Sequence, residues 1–197
     1  MKHHGPWQIL ETNEVYRDPW FRVERDEVIR PDGKPGTYTV VHLKPGVCVL
    51  ALDEEQHVCL TQEFHYAVGR TTIEAVSGGI EPGEDPLETA RRELEEELGI
   101  TALDWQEMGE VDPFTASISS PAKLYLAQKL SFGAQSQEGT ETIELTRMTL
   151  AEAVRRVMAG EITHSPSAVL ILKTWLILSE TGKGFSTQPS GGHGKME

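Results

Sequence analysis

Residues 78–100 read GGIEPGEDPLETARRELEEELGI, and this stretch predicts a capped helix. Asp85 followed by Pro86 is typical of a helix start, because aspartate caps free N–H groups and proline is favoured in the first turn. Gly99 is typical of a helix end, since glycine readily adopts the left-handed conformation found there. A buried stripe at helical spacing is expected, made of Leu87, Ala90, Leu94 and Leu98.

The same helix is expected to carry a crowded acidic face. Glu93, Glu96 and Glu97 are spaced i, i+3 and i+4, so their carboxylates share one face and repel one another. A hard divalent cation removes that repulsion, and oxygen ligands are those preferred by Mg²⁺ or Mn²⁺. Gly78 and Gly79, just before the helix, allow a close approach of the backbone. The alternative is a solvated helix whose acids pair with neighbouring arginines.

Composition limits the classes of function. The chain has 197 residues, enough for one domain with a sizeable core or for a domain with a small appendage. Its formal net charge of -13 argues against a nucleic-acid-binding surface, which needs basic patches. An acidic enzyme that acts on phosphates would need metal ions, in agreement with the glutamate cluster.

The cysteines and the apolar runs indicate a cytoplasmic location. Cys48 and Cys59 lie in apolar segments and are expected to be reduced core thiols, with a disulfide across a hairpin as the alternative. The N-terminus lacks the apolar core of a signal peptide, and no apolar run is long enough to cross a bilayer. We therefore expect no membrane partner.

The pattern along the chain predicts an α/β protein with a mixed sheet between helices. Strands are predicted at residues 7–10, 15–16, 20–29, 37–43, 47–52, 58–61, 72–76, 123–128 and 141–148. Pro31-Asp32-Gly33 is a turn signal, and residues 53–56 are expected to close a hairpin. Further helices are predicted at residues 149–160, opened by a capping box at Thr149, and at residues 165–180. Residues 181–197 are expected to be a disordered tail.

Residues 78–100 also resemble a known motif, the Nudix box. They fit the pattern G-x5-E-x7-R-E-U-x-E-E-x-G-U, where U is a bulky aliphatic residue. The fixed positions are Gly78, Glu84, Arg92, Glu93, Glu96, Glu97 and Gly99. The resemblance implies a Nudix α/β/α sandwich with an added N-terminal antiparallel strand segment. It divides the chain into a strand-rich segment at 1–45, a Nudix domain at 46–180 and the tail at 181–197.

Over about residues 7–178 the chain is similar to the ADP-ribose pyrophosphatase and nucleoside-diphosphate-sugar hydrolase branch of that superfamily. This similarity implies Mg²⁺-dependent hydrolysis of a pyrophosphate linkage, with Mn²⁺ as the alternative to Mg²⁺. ADP-ribose would give AMP and ribose 5-phosphate. It also implies a homodimer, in which the N-terminal strands contribute to dimerisation and to a substrate lid.

The resemblance assigns metal ligands by position. Glu93 and Glu97 are the expected main ligands, Glu96 a third or shared ligand, and the Ser77 carbonyl a further one. Arg92 is expected to orient the acidic cluster. Glu84 is expected to do the same or to bind a further metal through water.

The resemblance also places a catalytic base after the box and substrate contacts before and after it. Glu141 is the first choice for the base and Glu138 the second, with a solvated loop acid as the alternative for each. The expected substrate contacts are His65, Arg70, Glu74 and Phe114. Each has a plainer alternative, such as a surface ion pair between Arg70 and Glu74 or a loop anchor at Phe114.

The sequence departs from the usual pattern of that branch in three places. His65 replaces an arginine, residues 75–78 read AVSG in place of LPAG, and Ala116 stands where a proline is usual. Other substrates therefore stay open, namely another nucleotide sugar, a dinucleoside polyphosphate or a dinucleotide cofactor. A non-catalytic domain that senses a nucleotide sugar is a further alternative, but the complete box favours an enzyme.

Overall fold

The computed structural model describes residues 1–135 and 142–180, which form twelve strands and three helices. The strands are β1 (Lys2–His4), β2 (Trp7–Arg17), β3 (Phe21–Ile29), β4 (Pro35–Leu43), β5 (Gly46–Leu52), β6 (His57–His65), β7 (Arg70–Glu74), β8 (Val76–Gly79), β9 (Ile100–Val111), β10 (Ile118–Ser119), β11 (Ala122–Phe132) and β12 (Glu144–Thr149). The helices are α1 (Pro86–Leu98), α2 (Leu150–Met158) and α3 (Ser165–Glu180).

The N-terminal strands form their own sheet, in the order β1-β2-β3-β4-β10. Neighbours are antiparallel except β10 and β4, which are parallel. The predicted antiparallel segment is therefore confirmed, but the strands expected at 7–10 and 15–16 are one strand with two register shifts. The turn at 31–33 closes with a bond from Arg30 N to Lys34 O of 2.9 Å.

The second sheet is mixed and lies between two helical layers. It runs β12-β6-β5-β11-β9, with β5 and β11 parallel and the other pairs antiparallel. Alternate side chains of β5 enter opposite cores, because successive residues of a strand point to opposite faces. Cys48, Leu50 and Leu52 pack in the core beneath α2 and α3, whereas Val47, Val49 and Ala51 pack in the core beneath α1. This arrangement is the predicted α/β/α sandwich.

Local signals set the helix ends as predicted. The Asp85 side chain accepts hydrogen bonds from the N–H groups of Leu87 and Glu88, and Gly99 ends α1 with φ 63°. Thr149 caps α2 by accepting from the N–H of Glu152. Ala90, Leu94 and Leu98 are buried under the sheet, with Leu87 packed beside them.

The segment expected to be one strand at 72–76 is instead broken at Ala75. β7 is antiparallel to β6, and β8 is antiparallel to β5. Because β5 and β6 are themselves antiparallel, β7 and β8 run in opposite directions and the chain reverses at Ala75. β7 and β8 therefore fill the space where β5 and β6 diverge, and β8 enters the loop before α1.

Strand β9 was not predicted, nor were the short strands β1 and β10. β9 lies at the edge of the mixed sheet. Ile100 and Met108 are its only residues with less than a tenth of their surface exposed. Met108 also forms a bulge, after which Gly109 adopts φ 93°. A mostly exposed, irregular edge strand gives a weak alternating pattern, so the sequence alone did not reveal it.

Both cysteines are free and buried, as expected. Cys48 faces the core under α3, and Cys59 faces the core under α1, so a bond between them would have to pass through the sheet. None of the helices within the described ranges has the length and apolar character needed to span a bilayer.

Candidate active site

Arg92 holds the acidic face of α1 together. Its guanidinium contacts three carboxylates, with Nε 3.2 Å from Glu84 Oε1, Nη2 2.9 Å from Glu93 Oε1 and Nη1 2.9 Å from Glu96 Oε2. Glu97 lies on the same face and is buried. Arg92 thus joins Glu84, which precedes the helix, to Glu93 and Glu96 on the helix itself.

The local electrostatics favour the ionised form of Glu84. Arg92, followed by the Glu81 N–H and the Thr89 hydroxyl, lowers the pKa of Glu84 to about 2. The hydrogen bond that Arg92 donates to Glu84 in turn raises the pKa of Arg92. One guanidinium contacting three carboxylates leaves net negative charge on this face, which a divalent cation would neutralise.

Strand β8 lies against this acidic face at Gly78. Ser77 pairs with Cys48 of β5, and Gly78 pairs with Val47. Glu93 lies directly against Gly78, where a Cβ atom would fall 2.0 Å from Glu93 Cδ. Only glycine leaves room for Glu93 in this position. The structure therefore brings together Ser77 and the acidic face, and this oxygen-rich set fits Mg²⁺ or Mn²⁺.

Two clefts border β8 and the loop before α1. The larger, ≈ 470 Å³, lies between the N-terminal sheet and that loop, and basic side chains line it at Arg17, Arg22 and Lys44. Trp20 also lines this cleft and is 71% exposed. The smaller, ≈ 270 Å³, lies on the α3 side of β8 and is lined by Lys44, Ser77, Gly78 and His164, among others.

A hydrogen-bonded cluster surrounds Glu74, which precedes the chain reversal. His65 Nε2 lies 3.3 Å from Glu74 Oε1, and His164 Nδ1 lies 3.2 Å from Glu74 Oε2. His164 Nδ1 is also 2.8 Å from Ser167 Oγ. Burial lowers the pKa of His164 and His65 lowers it further, whereas Glu74 opposes the shift. We call His65, Glu74, His164 and Ser167 the Glu74 network.

The other expected substrate contacts are spread around these clefts. Arg70 does not pair with Glu74, but donates to Thr163 Oγ1 at 2.7 Å. Phe114 is exposed in the loop after β9. That loop is held to the N-terminal sheet by a hydrogen bond from the Tyr38 hydroxyl to the Ala116 carbonyl.

Glu138 and Glu141, the expected bases, lie outside the described residues. The chain resumes at Thr142, whose N–H lies 3.4 Å from Glu63 Oε1 on β6. The base therefore stays a prediction.

A second group of potential metal ligands lies at the hairpin between β5 and β6. Ligand atoms of Asp53, Glu55 and His57 lie within 4.8 Å of one another. However, Asp53 accepts the N–H groups of Glu55 and His57, and Arg147 pairs with both carboxylates. This group is explained as a turn cap, so we assign it no metal.

Comparison with known proteins agrees with this geometry. The NUDIX domain matches residues 42–170, and the nucleoside diphosphate sugar hydrolase N-terminal domain matches residues 7–41. An ADP-ribose pyrophosphatase of Bacillus subtilis is 31% identical, over 74% of this chain and 80% of that protein. One from Mycobacterium tuberculosis is 29% identical, over 81% of this chain and 78% of that protein.

The fold has a solved counterpart. A crystal structure of an ADP compounds hydrolase superposes with a TM-score of 0.79, covering 93% of this chain and all of the other, at 22% identity. The chain therefore belongs to the Nudix family. With the complete box and these relatives, it is a Nudix pyrophosphohydrolase similar to ADP-ribose pyrophosphatases.

Sequence reasoning missed several residues that the fold brings to the site. His164 and Ser167 lie at the start of the helix predicted at 165–180 and were assigned no role, although their i, i+3 spacing could have suggested a shared contact. Lys44, Arg22 and Trp20 reach the cleft through the packing of the N-terminal sheet against the loop before α1. Such long-range placement leaves no local pattern.

Proposed function

We propose that the protein hydrolyses the pyrophosphate linkage of a nucleoside diphosphate sugar in a Mg²⁺-dependent reaction. ADP-ribose is the favoured substrate, giving AMP and ribose 5-phosphate. The observation that carries the proposal is that two domains follow one another in this chain. A nucleoside diphosphate sugar hydrolase N-terminal domain matches residues 7–41, and a NUDIX domain with a complete box matches residues 42–170. The relatives named ADP-ribose pyrophosphatase support the choice of sugar nucleotide.

The chemistry of the larger cleft supports an anionic nucleotide substrate. Its lining includes the basic Arg17, Arg22 and Lys44 together with the acidic Asp18, Glu81 and Glu84. The three basic side chains pair with Glu14, Glu24 and Glu81, so phosphate oxygens bound there would replace or share these carboxylate contacts. The exposed Trp20 ring offers a flat apolar surface on which a base could stack. The cleft also borders Glu84 of the box loop, so a substrate bound there would lie beside the acidic face.

In the proposed mechanism, Glu93, Glu96, Glu97 and the Ser77 carbonyl hold Mg²⁺. When bound, the metal neutralises the pyrophosphate oxygens and lowers the pKa of a water molecule. Arg92 fixes the carboxylates in place, and Gly78 leaves the space that Glu93 needs. Glu141, or else Glu138, accepts the proton of the attacking water. His65, Arg70, Glu74 and Phe114 are the proposed substrate contacts.

We further propose a cytoplasmic homodimer formed through the N-terminal strands. β2 and the turn after it expose the apolar side chains of Leu10, Val15, Tyr16 and Trp20. Exposed apolar side chains on one sheet favour a protein–protein interface, because association removes them from water. The two reduced cysteines agree with a cytoplasmic location.

The substrate proposal is tested by ranking kcat/KM in Mg²⁺ over ADP-ribose, GDP-mannose, UDP-glucose, NADH and a diadenosine polyphosphate. We expect ADP-ribose to rank first and the other nucleotide sugars next. If every nucleotide sugar is inert while NADH or the polyphosphate is hydrolysed, the proposed substrate class is wrong. Binding of ADP-ribose without turnover would instead identify a sensor domain.

A different nucleoside diphosphate derivative is the second candidate, and one observation favours it. His65 stands where the branch usually has arginine, and its ring pairs with Glu74 within the fold. An imidazole engaged in this way lacks the planar, bidentate fork with which a guanidinium binds phosphate. Restoring arginine with His65→Arg should increase kcat/KM for ADP-ribose if that position contacts the substrate, and should leave it unchanged if it does not.

A further inference from the structure

The reversal at Ala75 creates a polar group that the sheet cannot satisfy. Ala75 lies between two strands with different partners, and it is fully buried. A buried N–H without a partner is destabilising, so it needs one from elsewhere in the fold. Ser167, in the first turn of α3 and also fully buried, accepts this N–H at 2.8 Å.

Glu74, on the other side of the break, is held at both its backbone and its side chain. Its carbonyl accepts the Thr61 hydroxyl at 3.2 Å, and its Oε1 accepts the Thr72 hydroxyl at 2.6 Å. His65 and His164 contact the same carboxylate. The residue that leads into the reversal therefore has contacts from β6, from β7 and from the residue next to α3.

His164 connects the two halves of this arrangement. Its Nδ1 lies within hydrogen-bonding distance of both Ser167 Oγ and Glu74 Oε2. Its carbonyl accepts the N–H of Ala168 at 2.9 Å, which fixes it to the first turn of α3. The start of α3 is thus tied to the residues at the reversal, on the face of the sheet opposite α1.

The metal ligands lie immediately beyond this point. Ser77 is two residues after Ala75, and Gly78, against which Glu93 packs, is three residues after it. We propose that the Glu74 network positions β8, so that the Ser77 carbonyl and the space over Gly78 match the geometry that the metal requires. This inference rests on the proposed function, which places a divalent metal at these residues. His164 and Ser167 act through β8, and are therefore positioning residues.

The expected loss of metal affinity follows from how little displacement of its ligands a Mg²⁺ site tolerates. Mg²⁺ demands near-ideal geometry at about 2.0–2.1 Å, so a small displacement of one ligand weakens binding. Residues that orient metal ligands typically change metal affinity or activity roughly 10- to 100-fold when removed. We expect Ser167→Ala and His164→Gln to weaken metal binding within this range.

The test measures binding of Mn²⁺ alone by calorimetry or electron paramagnetic resonance, without substrate. The variants are Ser167→Ala and His164→Gln, each checked for folding by circular dichroism. Thr174→Val is the matched control. It removes a buried hydroxyl from the same helix, and this hydroxyl has no hydrogen-bond partner among the described residues. His164 is less buried than Ser167, so His164→Gln serves as the test if Ser167→Ala does not fold.

Weaker Mn²⁺ binding by roughly tenfold or more in the two variants, but not in Thr174→Val, supports the proposal. Folded variants that bind Mn²⁺ as the parent does would overturn it. If the parent binds Mn²⁺ but hydrolyses no nucleotide sugar, the proposed function fails and the positioning role stands. If the parent binds no Mn²⁺, both are wrong.

Discussion

At the scale of single residues, the contact between Gly78 and Glu93 links the backbone to the acidic face. An added Cβ at Gly78 would meet Glu93 Cδ, Oε1 and Cγ at 2.0, 2.1 and 2.5 Å. The clash is with the far part of a flexible side chain rather than with backbone, so the carboxylate can move aside. Glycine is therefore needed here for the position of a proposed metal ligand more than for folding.

Gly78→Ala should therefore lower activity far more than stability. We expect kcat to fall roughly 100-fold or more, since misplacing a ligand removes several kcal/mol of charge stabilisation. The melting temperature should fall by only a few degrees. Gly79→Ala is the control, because its Cβ would lie 3.5 Å from Lys44 Cδ, an ordinary contact. Equal activity of Gly78→Ala and the parent would contradict this account.

Arg92→Lys tests the role of the guanidinium. Lysine keeps the charge, but one ammonium cannot contact Glu84, Glu93 and Glu96 as the planar fork does. We expect the Mg²⁺ concentration for half-maximal activity to rise roughly 10- to 100-fold. Arg91→Lys is a matched control, since Arg91 pairs with the exposed Glu88 and lies over the Trp105 ring. An unchanged Mg²⁺ requirement would show that Arg92 does not orient the ligands.

At the scale of elements, the hairpin between β5 and β6 depends on Asp53. Its Oδ1 accepts the N–H groups of Glu55 and His57, each at 2.9 Å, and its Oδ2 contacts Arg147. The pKa of Asp53 lies below its usual value, because its burial raises the pKa less than the His57 N–H and Arg147 lower it. The ionised form is therefore the one that stabilises the turn.

Asp53→Ala should lower the unfolding free energy by about 1–3 kcal/mol at pH 7. Because the folded state depresses this pKa, the contribution is present above the unfolded pKa of about 3.9 and is lost as pH falls through the folded value. The difference between parent and variant should thus stay constant from pH 7 to about pH 5 and shrink in more acidic solution. Denaturant titrations of the parent and of Asp53→Ala at each pH measure this difference in unfolding free energy.

Glu54→Ala provides the control for this stability difference, since Glu54 is an exposed acid of the same turn. It should change the unfolding free energy by less than about 0.5 kcal/mol. A difference between parent and Asp53→Ala that does not shrink below pH 4 would show that the charge of Asp53 is not responsible.

Elements with local signals were predictable from the sequence, and elements defined by distant partners were not. Asp85 and Gly99 mark the ends of α1 by their own chemistry, so the helix was predicted to the residue. The reversal at Ala75 depends instead on Ser167, 92 residues away. No local pattern encodes such a contact, and the same holds for the meeting of His65 and His164 at Glu74.

At the scale of the whole molecule, the N-terminal sheet is joined to the Nudix domain around the site. β10 pairs with β4, and the Val41 N–H donates to the Ser117 carbonyl at 2.9 Å. The loop that carries Phe114 is therefore anchored to the N-terminal sheet. A dimer built on that sheet would bring a second copy close to the site.

We predict a dimer, with twice the mass of one chain, in size-exclusion chromatography with light scattering. Leu10→Glu combined with Val15→Glu should give a folded monomer, because both side chains are exposed in the single chain and become costly only at an interface. Leu103→Glu is the control, since Leu103 is 80% exposed on β9, outside the N-terminal sheet. A monomeric parent, or a dimer that survives the double substitution, would contradict the proposed interface.

The most direct test of the account measures AMP release from ADP-ribose by the parent and by Glu97→Gln, each with Mg²⁺ and with a chelator. The account predicts AMP and ribose 5-phosphate from the parent with Mg²⁺, no product with the chelator, and a rate roughly 100- to 1,000-fold lower for Glu97→Gln. AMP release that is unaffected by the chelator, or by the loss of Glu97, would contradict it.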